Sequence, residues 1–219
     1  MKLTFKHTHD GSETLYREDL NETYHSIHGA INESLHVFIK MGLQAIEKKA
    51  INILELGFGT GLNAWLTFFE RSKNQSIKYI GLEAFPLTQE IWLELNFPQQ
   101  RIYENGTLML EKLHELTWEK EHEIDENFTF QKVEITFESF ETNKKFDLIY
   151  FDAFAPNKQP ELWETSIFEK MYGLMNENAM LVTYCAKGQV RRNMQAAGFL
   201  VERLPGPPGK REMLRAIKK

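Results

Sequence analysis

The chain has 219 residues, of which 42% are hydrophobic, and its 26 basic and 31 acidic residues give a formal net charge of −5 at pH 7. This length suits one α/β domain with an attached segment, and the net negative charge argues against bulk nucleic-acid binding. There is no apolar run long enough for a transmembrane helix, no signal-peptide-like N-terminus, and only one cysteine, Cys185, so we expect a cytoplasmic protein without disulfides.

Residues 1–50 are predicted to be an N-terminal extension, and residues 51–219 a single domain. The extension holds the helical-looking run ESLHVFIKMGLQAI, and the stretch YHSIHGAINESLHVF is a candidate lid over a bound ligand, with Glu33 near it. Its histidines match no known metal-binding pattern, so we expect no metal site.

From residue 51 onwards, apolar runs of strand length alternate with runs of helical spacing. FDLIYF (146–151) is continuously apolar, as strands buried on both faces are. Such alternation predicts a parallel, doubly wound sheet. In chain order, the predicted elements are a strand at 51–56, a helix at 62–71, a strand at 78–83, helices at 86–95 and 105–116, strands at 128–135 and 146–151, a helix at 160–175, a strand at 179–185, a helix at 187–198, and strands at 199–204 and 211–217.

A glycine-rich turn, ELGFGTG (55–61), joins the first strand of this series to its helix. Glycines at such a place let the backbone approach a ligand and direct its amides at it. The dinucleotide-binding fingerprint requires a glycine where this chain has Leu62, which disfavours a nicotinamide oxidoreductase. The form with Glu55, Gly57, Gly59 and Gly61 resembles the first motif of Rossmann-type S-adenosylmethionine methyltransferases. A tight turn without a ligand is the alternative.

Acidic residues occur at or near the ends of two further strands. Glu83 ends its strand about twenty residues after the glycine turn, where an acid can accept hydrogen bonds from both ribose hydroxyls. Glu134, in KVEI, is the candidate for the acid close to the adenine, although the Gly-Asp usual in such folds is missing. An exposed acid at a strand end is the alternative interpretation of each.

The stretch FDAFAP (151–156) places Asp152 at the end of the buried strand FDLIYF. Ligands of open parallel sheets bind beyond the carboxyl ends of the strands, at the switch point of the strand order. Asp152 should therefore emerge beside the glycine turn, where a methyl acceptor would lie. We expect Asp152 to bind the acceptor's polar edge or amine and Phe154 to offer a face to a flat base. A loop acid and a core aromatic are the alternatives.

Taken together, FDAFAPNKQPELW and TYCAKGQVRRNMQAAGFLVERLPGPPGKREMLRA resemble the methyltransferase part of the bacterial bifunctional tRNA wobble-uridine enzymes of the MnmC family. ELGFGTGLN and the N-terminal DGSETLY extend the resemblance over nearly the whole chain. It implies a seven-stranded, mostly parallel sheet with an antiparallel last strand and helices on both faces. It also implies S-adenosyl-L-methionine as cofactor and methylation of the amine of 5-aminomethyl-2-thiouridine in tRNA. Since the chain stops soon after KREMLRA, we expect a separate enzyme to supply that amine.

The C-terminal third carries an excess of positive charge, with nine basic and two acidic residues from Lys187 to Lys219. Such asymmetry can indicate a phosphate-binding surface, whereas a solvated basic tail is the alternative. With the family resemblance, the expected tRNA contacts are Lys187, Arg191, Arg192, Lys210 and Arg211.

Two other functions agree with the cofactor motif. A small-molecule amine methyltransferase or an aminopropyltransferase-like enzyme would share the glycine turn and the strand-end acids, although the basic C-terminal third mildly disfavours both. A non-catalytic module that only binds S-adenosylmethionine is the third hypothesis.

Overall fold

The computed structural model describes residues 2–219. Its N-terminal part begins with a small antiparallel sheet, which is followed by a short helical stretch. The strands of this sheet are β1 (Leu3–His7), β2 (Glu13–Arg17) and β3 (Glu22–Thr23). The helical stretch consists of α1 (Ala30–Ser34), a π-helical turn (Leu35–Lys40) and a 3-10 turn (Leu43–Ala45).

The N-terminal part does not fold apart from the rest of the chain. Ile31, Val37 and Phe38 are buried in the same hydrophobic cluster as Ile53 and Trp65 of the following domain. Burying such side chains stabilises each by roughly 1.5–3 kcal/mol relative to exposure. Residues 2–50 are therefore packed onto the domain that follows.

A central sheet of eight strands forms the middle layer of the molecule. Its strands are β4 (Ala50–Leu56), β5 (Ser76–Glu83), β6 (Glu121–Asp125), β7 (Phe128–Glu134), β8 (Phe146–Phe151), β9 (Met175–Thr183), β10 (Leu200–Pro205) and β11 (Glu212–Ile217). The spatial order is β10-β11-β9-β8-β4-β5-β7-β6. The five strands from β9 to β7 are mutually parallel, whereas β11 runs antiparallel to both of its neighbours.

All seven predicted strands are present, and the last of them is antiparallel to its neighbours. The sheet has one more strand, so the expected count of seven is wrong. The eighth strand, β6, pairs antiparallel with β7 at the edge of the sheet. Its sequence EHEID carries three acids and lacks the apolar alternation that marks a half-buried strand, so sequence patterning does not reveal it.

The sheet is covered on both faces because successive residues of a strand point to opposite sides. In β8, Leu148 and Tyr150 join the cluster under the N-terminal part, whereas Ile149 and Phe151 join a second cluster on the other face. The helices that flank the sheet are α2 (Leu62–Glu70), α3 (Gln89–Trp92), α4 (Phe97–Gln100), α5 (Gly106–Glu115), α6 (Thr165–Leu174) and α7 (Gly188–Ala196). α2 and α5 cover the first face, and α6 and α7 the second.

Two predicted helices differ from the structure. The helix expected at 86–95 is only the single turn α3, followed by α4, in which Pro98 occupies the first turn. The helix expected at 160–175 is divided into a 3-10 turn (Pro160–Trp163) and α6, because Glu164 is extended with ψ 159°. Within residues 2–219, no helix combines the length and apolar character needed to cross a membrane.

Candidate active site

A cavity of about 290 Å³ lies at the carboxyl ends of the parallel strands. It is centred on the switch point, where β4 lies between β5, which follows it in sequence, and β8, which comes much later. Its walls come from the glycine turn, from the residues that follow β5, β7 and β8, and from the N-terminal part. The last of these contributes Arg17, Tyr24 and His25.

The glycine turn holds its shape through left-handed backbone conformations that disfavour other residues. Gly57 has φ 91°, and a Cβ there would lie 2.7 Å from the carbonyl oxygen of Asp152. Gly59 has φ 48°, and a Cβ there would approach the Tyr24 ring to 3.2 Å. Both glycines line the cavity, whereas Gly61 caps the start of α2 and lies outside the lining. These glycines therefore allow the turn to pass close to Asp152 and Tyr24.

Two histidines that the sequence did not identify as site residues hold the middle of this turn. His25 lies between the hydroxyls of Thr14 and Thr60, with its ring nitrogens 3.2 Å from each. His114 Nε2 donates to the carbonyl oxygen of Thr60 at 3.0 Å. Burial lowers the pKa of both histidines to about 4, so both rings are neutral at pH 7. Both histidines therefore support the turn through hydrogen bonds and carry no charge.

Glu83, predicted to bind ribose, lies in the cavity wall at the end of β5. Its carboxylate accepts hydrogen bonds from the backbone N–H groups of Gly59 at 2.8 Å and Phe85 at 2.9 Å. Burial raises its pKa, while these hydrogen bonds oppose that rise. Glu83 thus links the glycine turn to the end of β5 and presents a carboxylate to the cavity.

Glu55 is fully buried and lies outside the cavity lining. It accepts hydrogen bonds from the Tyr79 hydroxyl at 2.7 Å and from Asn63 Nδ2 at 2.9 Å, and burial holds its pKa well above the usual range. The same Asn63 nitrogen donates to Asp152 Oδ2 at 2.8 Å. Glu55 therefore reaches the cavity through Asn63, which sequence patterning did not single out.

Asp152 lies where the sequence predicts, next to the glycine turn and in the cavity wall. Its backbone N–H donates to Leu56 of the neighbouring strand β4 at 3.1 Å, which positions the residue at the switch point. Burial, followed by the negative charge of Glu33, raises the pKa of Asp152 to about 7. An aspartate of this kind changes its protonation state near neutral pH, as general bases and acids do.

Phe154 lines the cavity beside side chains from the N-terminal part. Its ring meets that of Tyr24 edge-on, with centroids 5.1 Å apart, and the Arg17 guanidinium lies 5.7 Å from its centroid. Arg17 also contacts the exposed ring of Phe85 at 5.1 Å. The aromatic side of the cavity is thus built jointly by FDAFAP, by Tyr24 of the candidate lid, and by Arg17 and Phe85, which the sequence did not single out.

Glu134 is not brought to the cavity. Its side chain is exposed, and its backbone N–H donates to Glu119 Oε1 at 2.8 Å. The cavity is lined instead by the residues that follow it, Ile135 to Glu138. The acidic residue of this wall is Glu138, four residues after Glu134.

The five basic residues predicted to bind phosphates fall into two groups. Within residues 2–219, Lys187, Arg191, Arg192 and Arg211 form no ion pair, whereas Lys210 is paired with Glu33. Three other basic residues of the C-terminal third, Arg203, Arg215 and Lys218, are paired with acids. Among the five predicted residues, the uncompensated charge is therefore at the start of α7 and in the β10–β11 turn.

The chain is similar to several known proteins. The family model described as S-adenosyl-L-methionine-dependent methyltransferase matches residues 95–219. The chain is 28% identical over 214 residues to the tRNA 5-methylaminomethyl-2-thiouridine biosynthesis bifunctional protein MnmC of Marinomonas sp. (strain MWYL1), a match that covers 90% of this chain and 31% of that protein. It is 31% identical over 216 residues to the protein of the same name from Leptospira interrogans, covering 90% of this chain and 32% of that protein.

The chain thus spans about a third of the length of the curated relatives it matches. Among solved structures, MNMC2 from Aquifex aeolicus superposes with a TM-score of 0.82 at 27% identity. That superposition covers 98% of this chain and 70% of the Aquifex chain, so it includes the N-terminal part that contributes to the cavity.

Proposed function

Because the chain belongs to the family of S-adenosyl-L-methionine-dependent methyltransferases, we propose that it methylates the amine of 5-aminomethyl-2-thiouridine at the wobble position of tRNA. The observation that carries this proposal is the position of Asp152, which follows β8 at the switch point and lines the same cavity as the glycine turn. The relatives named for 5-methylaminomethyl-2-thiouridine biosynthesis support the choice of substrate.

The residues of the cavity fit S-adenosylmethionine, which is the cofactor of this family. Gly57 and Gly59 let the turn pass close to Asp152 and Tyr24 and place its backbone in the cavity wall. Glu83 offers a carboxylate for the ribose hydroxyls. A wall of acids suits a ligand that carries an amino group and a sulfonium, and repels a pyrophosphate. We assign Gly57, Gly59 and Glu83 as direct contacts, and Glu55 as a support that acts through Asn63.

When bound, the cofactor supplies an activated methyl group on a sulfonium. The task of the protein is then to hold the acceptor amine in line and in its neutral form. Asp152 accepts a hydrogen bond from that amine and so orients its lone pair. Because its pKa is about 7, the same carboxylate can also take up the proton that the amine releases.

We propose that Phe154, Tyr24 and Arg17 form the wall against which the uracil ring lies. Phe154 and Tyr24 offer aromatic surface, and the Arg17 guanidinium is a planar cation that stacks on bases. The unpaired Lys187, Arg191, Arg192 and Arg211 would contact tRNA phosphates, since arginine forks suit phosphate oxygens. The aminomethyl group of the substrate is itself a modification, so a separate amine-forming reaction must precede this one.

The test is an incubation of the purified protein with labelled S-adenosylmethionine and tRNA. The tRNA comes from cells that form the aminomethyl group on the wobble uridine but do not methylate it. Nucleoside analysis should recover the label in the wobble uridine alone. The matched control is the same tRNA already carrying the methylaminomethyl group, which should take up no label. Label in a small amine from a metabolite extract, with none in tRNA, would favour a small-molecule methyltransferase instead. Cofactor binding without any transfer would favour a non-catalytic module.

A further inference from the structure

A partly buried ion pair between the N-terminal and C-terminal parts of the chain lies close to Asp152. Glu33 of α1 is only 6% exposed, and one of its carboxylate oxygens accepts the backbone N–H of Ser26 at 3.1 Å. The other carboxylate oxygen is paired with Lys210, which lies 177 residues later in the turn between β10 and β11. Neither side chain lines the cavity, so the pair is not available to the substrate directly.

Tyr184 connects this pair to the segment that carries Asp152. The Lys210 ammonium lies 4.0 Å from the centroid of the Tyr184 ring, within the range of a cation–π contact. The Tyr184 hydroxyl donates to the carbonyl oxygen of Ala153 at 2.8 Å, and Ala153 directly follows Asp152. The pair therefore supports, through one ring, the backbone that aims the carboxylate at the cavity.

Several charged or titratable groups face Asp152 from the elements packed around it. Glu33 comes from α1, Lys210 from the β10–β11 turn and Tyr184 from the end of β9, while Glu55 and Tyr79 lie under it on β4 and β5. Asn63 of α2 donates to it directly. Glu33 raises the pKa of Asp152, second only to burial, and Asn63 and Lys210 lower it.

We propose that Glu33 and Lys210 are positioning residues for the proposed methyl transfer, an ion pair that lies behind Asp152 and sets both its orientation and the charge that it presents to the acceptor amine. The proposal rests on the proposed function, because it assigns these residues to the acceptor side of the same site. This proposal assigns Lys210 to the support of Asp152, whereas the sequence predicts that Lys210 contacts tRNA. The β10–β11 turn that holds Lys210 also carries Arg211, so tRNA bound there would be adjacent to a group that governs Asp152.

The two partners should act on Asp152 in opposite directions. Glu33→Gln removes a negative charge, keeps the shape of the side chain and favours the ionised form of Asp152. Lys210→Met removes a positive charge, leaves Glu33 uncompensated and favours the protonated form. A pair that served only as a structural tie would lose stability in both variants without moving the titration of Asp152 in opposite directions.

The experiment is an NMR titration of the full chain with its aspartate carboxyl carbons labelled with ¹³C, in which Asp152 is identified by the resonance that Asp152→Asn removes. We expect the midpoint to fall by about half a pH unit or more in Glu33→Gln and to rise by a similar amount in Lys210→Met. The matched control is Arg215→Met, which breaks the Arg215–Glu202 ion pair of the same hairpin and should leave the midpoint unchanged.

An unchanged midpoint in Glu33→Gln, or shifts of the same sign in both variants, would overturn the proposal. Glu33→Gln decides the matter by itself if Lys210→Met does not fold, because its midpoint must fall. The pH at which turnover on tRNA is half-maximal should move in parallel with the midpoint. Since the titration needs no substrate, opposite shifts without any tRNA methylation would reject only the proposed function, and methylation with an unmoved titration would reject only this inference.

Discussion

The two sides of the cavity are built on different principles. The side proposed to bind the cofactor is made of backbone: left-handed glycines, and N–H groups bonded to Glu83 and Leu82. The side proposed to bind the acceptor is made of side-chain charge, with Asp152 beside the oppositely charged Glu33 and Lys210. Backbone geometry tolerates almost no substitution, whereas charge can be tuned by neighbours without any change of shape. Changes on the two sides should therefore affect different quantities.

The largest effect is expected on the acceptor side. Asp152→Ala should lower turnover on tRNA by roughly 10²- to 10⁴-fold, the range typical of a lost acid–base group. The dissociation constant of S-adenosylmethionine, measured by calorimetry, should stay within a few-fold of wild type, because the glycine turn and Glu83 are untouched. Turnover equal to wild type would contradict the role of Asp152, and a matching loss of cofactor affinity would remove the distinction between the two sides.

On the cofactor side, Gly57→Ala should disrupt the turn. The added Cβ would lie 2.7 Å from the Asp152 carbonyl oxygen in a left-handed conformation. We expect a loss of about 1–3 kcal/mol in the free energy of unfolding, measured with denaturant, together with weaker cofactor binding. The control is Gly173→Ala in α6, where a Cβ meets nothing within 4 Å. There the same substitution should be neutral or stabilise by about 0.5–1 kcal/mol, and equal losses at both sites would argue against a special geometry at Gly57.

A more moderate effect is expected from Glu83→Gln. Glutamine has one acceptor oxygen where the carboxylate uses two, so one of the N–H bonds from Gly59 and Phe85 should be lost along with a ribose contact. Cofactor affinity should fall by about tenfold, in line with roughly 1.5 kcal/mol for a charged hydrogen bond. Glu134→Gln is the matched control, since Glu134 is the register partner of Glu83 on β7 but lies outside the cavity lining. A larger loss from Glu134→Gln would restore the assignment that the sequence suggests.

The smallest single effects are expected on the basic surface. Replacing Arg191, Arg192 or Arg211 by Ala should weaken tRNA binding by a few-fold each and lower the slope of log affinity against log salt by about 0.7–0.9 per lost phosphate contact. Cofactor affinity should not change. Arg203→Ala, which removes a residue paired with Glu212, is the control from the same third of the chain. Equal salt slopes for wild type and all three variants would place the tRNA on another surface.

Local patterning was sufficient for the parts of the molecule that depend on neighbours in sequence. Apolar runs and helical spacing predicted β4, β5, β7, β8 and α2 within two residues at each end, since burial on both faces leaves a direct trace in composition. The glycine turn and Asp152 were predictable for a related reason. A parallel sheet brings the carboxyl ends of its strands to one edge, so residues just after two strands must lie close together.

Contacts between distant parts of the chain were not predictable in this way. β6 is defined by its pairing with β7 at the edge of the sheet. Glu134 has an exposed side chain and lies outside the cavity lining, which begins one residue later, at Ile135. The N-terminal part was expected at most to form a lid, yet Arg17, Tyr24 and His25 form walls of the cavity. No local pattern marks these residues, because their role depends on where the small sheet packs.

By itself, the sequence determined the α/β alternation, the glycine turn and the acid at the end of β8, because each depends on local backbone preferences and on strand order. Only the tertiary structure decided which charges surround that acid. Glu33 and Lys210 are 177 residues apart along the chain. Asn63 of α2 donates hydrogen bonds to both Glu55 and Asp152, which are themselves far apart in sequence. Electrostatic effects depend on distance and burial in the folded chain, and neither can be read from separation along the sequence.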